Sequence, residues 1–346
     1  MKIAIVRLSA LGDIIQSAIV LQFIKKINKN IEIHWFVDKR FANLLQDHPL
    51  IDELYVLPLK DKKFKETFAI LFEARQNKYD VVIDLQGLIK SAVVSRILGS
   101  NVFGFNKNGL RETFAHNFYS QKFDASYNEN VYIRYLSLVH YAFNEEFDYK
   151  EIYHKQAVFP LDEEVKDELI QRIDFNQKLK NVLIHVGSAE DNKIYSITKM
   201  ALLCKMLVNA FSEINIYLCW GNQKEYHLSQ ELIQLSQIIN SSTQALIQLP
   251  KLSLKELICM TKISDLVIGN DSGPTHLAFA LNKPSITIFG ATWDSRVCIE
   301  TQINKTISAG KKFDTNVKFK FDRSDFCIQN IDEKDIFKLA CELLKK

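Results

Sequence analysis

Two kinds of segment alternate along the chain. Short apolar runs of strand length recur at KIAIVR (2–7), IEIHWFVD (31–38), ELYVLPL (53–59), YDVVIDLQG (79–87) and NVFGFN (101–106). Between them lie stretches with helical spacing: SALGDIIQSAIVLQFIKKIN, RFANLLQDHP, KETFAILFEARQNK and LIKSAVVSRILG. Pro49 ends the second of these, because a proline disfavours helix at the residue before it, and Gly99 closes the last. Residues 110–157 read as helices and loops, and beyond Pro160 the alternation starts again. It gives the helix EEVKDELIQRIDF, the strand NVLIHVG (181–187), the helix TKMALLCKMLVNAF, the strand INIYLCWG (214–221) and the helix KEYHLSQELIQLS. LSLKELICMTKIS (252–264) is helical, DLVIG (265–269) a strand, LAFALN a helix and SITIFG (285–290) a strand, and the amphipathic EKDIFKLACELLKK closes the chain.

Strand and helix in strict alternation predict a mostly parallel sheet covered on both faces. The pattern occurs twice, so the expected architecture is α/β with two doubly wound domains, at 1–157 and 158–325, and a terminal helical segment at 326–346. Open α/β sheets bind ligands at the carboxyl ends of their strands. Two such domains are expected to share a cleft there, which makes the strand ends the places to search.

Composition narrows the field. Hydrophobic residues are 47% of the 346, enough for real cores, and a net charge of +3 is too small for a nucleic-acid binder. The whole positive surplus lies in residues 1–155, much of it in the run Lys60-Asp61-Lys62-Lys63-Phe64-Lys65. The six cysteines all lie in the second half without a CxxC pair, which reads as free thiols in a reducing compartment. Asp13 interrupts the apolar start, so no secretory signal is expected, and no stretch has transmembrane length. Any membrane contact is expected at the surface, from the cytoplasmic side.

The first strand runs into Ser9-Ala10-Leu11-Gly12-Asp13. Gly12 permits close approach of a ligand. Asp13 reads either as a helix-capping acid or as a general base presented to the cleft. No G-x-G-x-x-G follows the strand, which disfavours a dinucleotide oxidoreductase. After 79–84 come Gln86 and Lys90, candidates for an acceptor's oxygens or else ordinary loop residues. Lys60, Lys62 and Lys63 follow 53–59, and cations at a helix start oppose its dipole, which favours a role in binding anions.

In the second half, Ser188 and Lys193 follow one strand and Glu225 another. Lys193 suits a phosphate and Glu225 a ribose diol. The joint Asn270-Asp271-Ser272-Gly273-Pro274-Thr275-His276 places free N–H groups at a helix start, with Pro274 where its missing N–H is harmless. That is an anion site suited to a diphosphate. Asp271 is expected to turn from the phosphate toward hydroxyls of its substituent, and His276 to donate to the phosphate. The bland reading is a capped helix with a core histidine.

RLSALGDIIQSA, DLQGLIKSA and GNDSGPTHLAFALNKPSITIFG, in this order and spacing, resemble the bacterial lipopolysaccharide heptosyltransferases of glycosyltransferase family nine. DLQGLIKSA, with KDKKFKETF before it, looks more like the members that add the first heptose than those that add the second. The resemblance implies a GT-B fold, with two Rossmann-like domains and a terminal helix packing back on the first. It implies a metal-free, inverting transfer with no cofactor. The donor would be ADP-L-glycero-D-manno-heptose, held mainly by the second domain. The acceptor would be the Kdo region of Kdo-lipid A at the inner face of the inner membrane, held by the first. Asp13 matches the family's catalytic aspartate and Lys193 its lysine, here in Lys193-Ile194-Tyr195 where the family often has Lys-x-Trp. Glu225 matches its ribose-binding glutamate, and Asp271 through His276 its donor motif, with Pro274 replacing a more usual apolar residue. The implied donor set is Ser188, Lys193, Glu225, Asp271, Ser272, Gly273 and His276. The implied acceptor set is Ser9, Gly12, Lys60, Lys62, Lys63, Gln86 and Lys90. Phe105, Phe114 and Phe118 read either as membrane contacts or as core.

Three rivals stay open: transfer to an already heptosylated acceptor, a GT-B-like sugar-nucleotide epimerase, and a nucleotide-binding scaffold without turnover. Donor preference and product formation separate them.

Overall fold

A computed structural model of the chain describes residues 1–61, 63–239 and 245–345. The chain forms two units, Met1–Pro160 and Leu161–Lys346. Lys62 lies outside the described residues.

The first unit holds strands β1 (Lys2–Val6), β2 (Glu32–Asp38), β3 (Glu53–Leu57), β4 (Val81–Asp84), β5 (Val102–Phe105) and β6 (Gln121–Phe123). All pairings are parallel, in the order β3-β2-β1-β4-β5-β6. The helices are α1 (Leu11–Ser17), α2 (Val20–Ile27), α3 (Ala42–Leu45), α4 (Phe64–Arg75), α5 (Ile89–Leu98) and α6 (Val131–Phe143). The apolar runs KIAIV and VVID are buried because helices cover both faces of a parallel sheet. The long helix expected after β1 is two helices, broken at Ala18-Ile19.

The second unit holds β7 (Lys180–His185), β8 (Ile214–Cys219), β9 (Leu246–Gln248), β10 (Leu266–Asn270), β11 (Ser285–Phe289) and β12 (Asn304–Ser308). Its helices are α7 (Glu163–Arg172), α8 (Ile197–Ala210), α9 (Gln223–Ile239), α10 (Leu254–Ile263), α11 (Gly273–Ala280), α12 (Asp294–Val297) and α13 (Glu333–Leu344). The order β12-β11-β10-β7-β8-β9 repeats that of the first sheet. In each sheet the order reverses direction between two central strands, β1/β4 and β7/β10. That switch point is where a doubly wound sheet opens a crevice at its carboxyl edge.

The terminal helix departs from the sequence expectation. Its buried Ile336, Ala340, Leu343 and Leu344 join Ile184, Leu203, Ile268 and Ile286 in one core, so α13 belongs to the second unit. Lys180 donates to the Leu344 carbonyl at 2.6 Å, and Tyr195 and Lys199 donate to the Ile331 carbonyl at 3.0 and 2.8 Å. An amphipathic helix docks where its stripe finds apolar surface, and here the α8 side of the second sheet supplies it. The cysteines are all free thiols.

One core residue has a consequence for stability. His185 ends β7 fully buried, and its Nε2 has no partner among the described residues. Burial lowers its pKa from 6.5 to about 3. The unfolded chain therefore binds a proton near pH 6.5 that the folded chain refuses until about pH 3. This contribution to stability is present above pH 6.5 and is lost as pH falls toward 3. Its size is roughly 3–5 kcal/mol. Urea unfolding of the wild type is expected to weaken across that window with a slope of about one proton, and His185→Phe to flatten it. An equal slope in the variant would assign the loss to other groups.

Candidate functional site

Residues singled out from the sequence stand at both switch points. In the first unit, the segment after β1 and the segment after β4 are laced together. Gln86 Oε1 accepts from the Leu8 N–H at 2.8 Å, and its Nε2 lies 3.4 Å from Ser9 Oγ. Lys90 Nζ donates to the same hydroxyl at 3.1 Å. Beneath them the buried Asp84 carboxylate accepts from the Gln86 and Gly87 N–H groups, the Ser91 hydroxyl and the Tyr119 hydroxyl, which fixes the loop's path. Ser9, Gln86 and Lys90 thus form one cluster, and partly exposed Gly12 lies beside Asp13 in the first turn of α1.

Asp13 sits in the first turn of α1, as the capping expectation has it, and its carboxylate is also left open to solvent. Its Oδ2 accepts from the Ala10 N–H at 3.1 Å, capping α1. Its Oδ1 meets the Arg7 guanidinium at 3.0 Å, yet the side chain stays 47% exposed. Arg7 is buried, donates to the Leu85 carbonyl at 2.6 Å and stands over the Tyr135 ring. The carboxylate is anchored on one side and open on the other, as a base requires. Each oxygen keeps a free lone pair for a substrate hydroxyl.

The basic run is more dispersed. Exposed Lys60 and Lys63 follow the edge strand β3, and Lys63 is paired with Glu66 at 3.0 Å. A cation the sequence reading passed over is closer to the switch point. Arg40, after β2, is held by buried Asp38 at 2.9 Å, and both carry charge that Lys90 feels. Burial lowers the Lys90 pKa, with Arg40 and Arg7 adding to the effect against Asp38 and Glu112. The strand-end rule that selected Gln86 selects Arg40 equally well.

In the second unit, Asp271, Lys193 and His276 are one ionic network. Lys193 Nζ sits 2.6 Å from Asp271 Oδ2, and His276 Nε2 sits 3.2 Å from Oδ1. Burial pushes the Asp271 carboxyl up, but the His276 hydrogen bond and the Lys193 charge outweigh it and hold the group well below the ordinary range. The sequence reading treated the three as separate contacts. Both Asp271 oxygens in fact face protein groups, the Lys193 ammonium and the His276 ring, because Asp271 is 7% exposed and a lone buried carboxylate is costly.

Asn270, buried beside it, ties the site together. It donates to the Val186 and Gly187 carbonyls at 3.1 and 3.3 Å and accepts from the Tyr195 N–H at 3.0 Å. Ser188 donates to the Asp271 carbonyl at 3.0 Å. Ser272 stands at the N-cap position of α11 with its hydroxyl on Thr275 rather than on a backbone N–H, and Gly273 with Pro274 begins the helix, so unpaired N–H groups lie at that end. Thr275 packs in the space a side chain at Gly269 would fill. Glu225 likewise lies against Gly187, and its Oε2 accepts from the Gly221 N–H at 2.6 Å. Glu225, which follows β8, therefore also lies against the β7 end next to Ser188.

The sequence reading also missed an aromatic group. Trp293 stacks on Phe313 at 5.3 Å with Phe319 edge-on, and Phe321 lies 4.8 Å below Lys193 Nζ. The Thr292 hydroxyl is buried without a partner among the described residues. Isolated aromatics spread over 293–321 carry no periodic signal. Phe105 is 2% exposed and belongs to the core, which removes it from the membrane candidates, while Phe114 is 60% exposed with Phe118 edge-on to it. Among the described residues no group of three or more metal-ligating side chains is assembled, and no helix is long and apolar enough to cross a membrane.

The model of glycosyltransferase family 9 (heptosyltransferase) matches residues 69–319. The chain belongs to glycosyltransferase family 9. It is 59% identical over 343 residues to lipopolysaccharide heptosyltransferase 1 of Campylobacter coli, covering 99% of each chain. Among solved structures it is similar to an E. coli heptosyltransferase with ADP-2-deoxy-2-fluoro heptose, at TM-score 0.76, 20% identity and 99% of each chain. It is equally similar in fold to E. coli ADP-heptose LPS heptosyltransferase II, at TM-score 0.75, 17% identity and 100% and 99% of the two chains. The family-9 chain is thus a glycosyltransferase with the two Rossmann-like units of the GT-B fold. Fold alone does not separate the two heptosyltransferase types, since the two TM-scores are nearly equal.

Proposed function

We propose that this family-9 enzyme transfers L-glycero-D-manno-heptose from ADP-heptose to Kdo of Kdo-lipid A with inversion, as the first heptose of the lipopolysaccharide inner core. The observation that carries this reading is the 59% identity, end to end, with a heptosyltransferase 1. The geometry supports it. The α11 start with Lys193 gathers donors for a diphosphate, and Asp13 is a half-exposed, anchored carboxylate.

The chemistry follows from those groups. The acceptor hydroxyl attacks the anomeric carbon on the face opposite ADP. Its proton passes to Asp13, a C–O bond forms, and the bond to the β-phosphate oxygen breaks. The transition state has oxocarbenium character. Negative charge grows on the departing ADP, where the N–H groups at Ser272 and Gly273, with Lys193, stabilise it. Ser188, Glu225 and His276 complete the donor site around Asp271. Ser9, Gly12, Gln86 and Lys90 receive the anionic acceptor, with Lys60 and Lys63 on its approach. The enzyme works at the inner face of the inner membrane, with its acceptor in the bilayer.

The deciding experiment is transfer from ADP-heptose by the purified protein to Kdo-lipid A, beside an acceptor already carrying one heptose. Product on the bare Kdo acceptor is expected. Product only on the heptosylated one would reassign the enzyme to the second transfer. For the acceptor site, Lys90→Ala is expected to raise the acceptor KM about tenfold, because it removes one charge-assisted contact. The donor KM should stay put, and a change in it instead would remove Lys90 from the acceptor site.

A further inference from the structure

Helix α4 carries an aromatic ridge that no element covers among the described residues. Phe64, Phe68 and Phe72 are 62%, 45% and 52% exposed, and Phe68 and Phe72 lie ring to ring at 6.4 Å. The spacing is four residues, which advances the ridge by only about 40° per step. The helix is held by a neighbouring arc, where Thr67, Leu71 and Ala74 are buried. Lys65, Glu66 and Glu73 lie away from that arc, so the phenylalanines stand between the buried and the polar faces. Isolated exposed apolar residues need no explanation, but three on one stripe do.

The surroundings are cationic. Lys60, Lys63 and Lys65 are exposed at the head of the ridge, and Arg75 is exposed at its foot. Over residues 60–75 five cations face three acids, and one of the acids, Glu66, is paired with Lys63. A ridge whose surroundings carry a net positive charge repels a second copy of itself and is drawn to an anionic surface.

The ridge also has a direction. In a parallel sheet, every segment that follows a strand starts at the same edge. Phe64 starts α4 after β3, Ile89 starts α5 after β4, and Phe114 lies in the helical turn 113–118 after β5. Ile89 and Phe114 are 40% and 60% exposed. Helix α4 packs on α5, and α5 on the 113–118 turn, so these exposed apolar side chains stand on neighbouring elements that start at the same carboxyl edge. Lys90, next to Ile89, is bonded to Ser9 in the cluster beside Asp13.

We propose that the α4 ridge, with the lysines at its head, docks the enzyme on an anionic phospholipid surface. The phenylalanines enter the headgroup boundary and the ammonium groups meet lipid phosphates. The proposal rests on the reading of a bilayer-borne acceptor only for its purpose, which is to hold the Asp13 edge against the surface where that acceptor's polar part emerges.

The full-length protein is sedimented with vesicles of phosphatidylethanolamine and phosphatidylglycerol, and with phosphatidylcholine alone. Wild type is expected to bind the anionic vesicles. The variant Phe64→Ser/Phe68→Ser/Phe72→Ser is expected to bind about tenfold or more weakly, with an unchanged thermal midpoint because the rings are exposed. Lys60→Gln/Lys65→Gln is expected to lose about tenfold on anionic vesicles alone. A Phe68→Trp variant should be quenched by brominated lipid. Transfer to a delipidated Kdo acceptor should be equal in wild type and the serine variant. Undiminished vesicle binding by the serine variant, or an unquenched Trp, would overturn the proposal. So would a wild-type dimer that the serine variant dissolves while still binding vesicles, since the ridge would then be a subunit interface. Failure of the wild type on the delipidated acceptor would count against the transfer reading and leave the docking result standing.

Discussion

Asp13→Ala is expected to lower kcat about a thousandfold, a typical loss for a general base, while ADP binds with wild-type affinity. Two structural effects accompany that substitution. It removes the α1 cap on the Ala10 N–H, at about 1 kcal/mol, and it strips buried Arg7 of its carboxylate. Asp13→Asn separates the cap from the chemistry, while its amide NH2 faces Arg7 and leaves that guanidinium without a counter-charge as the alanine does. The amide keeps an acceptor oxygen for the Ala10 N–H and the same volume, but it accepts no proton. A fall in kcat of the same order in both variants, with the asparagine form nearer wild type in thermal midpoint than the alanine form, supports the base. Near-normal turnover by Asp13→Asn would return Asp13 to the cap alone. Arg7 retains the Leu85 carbonyl and the Tyr135 ring, so the site should not collapse.

The cap and the base are written in the same residue type at the same place, so the pattern could not choose between them; the structure shows the cap and leaves the carboxylate half exposed. The positions of Asp13, Gln86, Lys193 and Asp271 were legible because strand ends are, and an open α/β sheet concentrates chemistry at its switch point. The three strands the pattern did not yield, β6, β9 and β12, are all outermost in their sheets. QKF and LIQ are too short, and NKTIS too polar, to announce burial on two faces. The terminal helix was legible as amphipathic, but an apolar stripe does not name its partner, and α13 went to the second unit's core. Arg7 and Asn270 escaped because their roles are defined by contacts far along the chain, to Leu85 and to Gly187, whereas Arg40, held by Asp38 two residues away, was within reach of the strand-end rule. The α4 phenylalanines were hidden by their own spacing, since a helical stripe of apolar residues reads as a buried face whether or not anything covers it.

Lys193→Ala is expected to cost about a hundredfold to a thousandfold in kcat, as loss of one preorganised donor to the leaving group does. The same substitution leaves Asp271 buried with His276 alone, so a lower thermal midpoint is expected as well. That coupling allows a rival account, in which Lys193 is only the counter-ion of Asp271 and activity falls because the loop loosens. Lys193→Ala/Asp271→Asn decides between them. Removing the carboxylate's charge removes the need for the lysine, so stability should recover toward wild type, and the two substitutions should be strongly non-additive in thermal midpoint. If Lys193 also acts on the departing diphosphate, kcat of the double variant stays far below that of Asp271→Asn alone although the fold has recovered. If kcat returns with the fold, the lysine was a counter-ion and the α11 start must stabilise ADP without it. The pH dependence gives an independent check. A carboxyl held below its ordinary range contributes stability that is complete above the usual Asp pKa of 3.8 and disappears as pH falls below it. Wild type should lose that contribution on acidification past this point, and the double variant, with no carboxylate to protonate, should not.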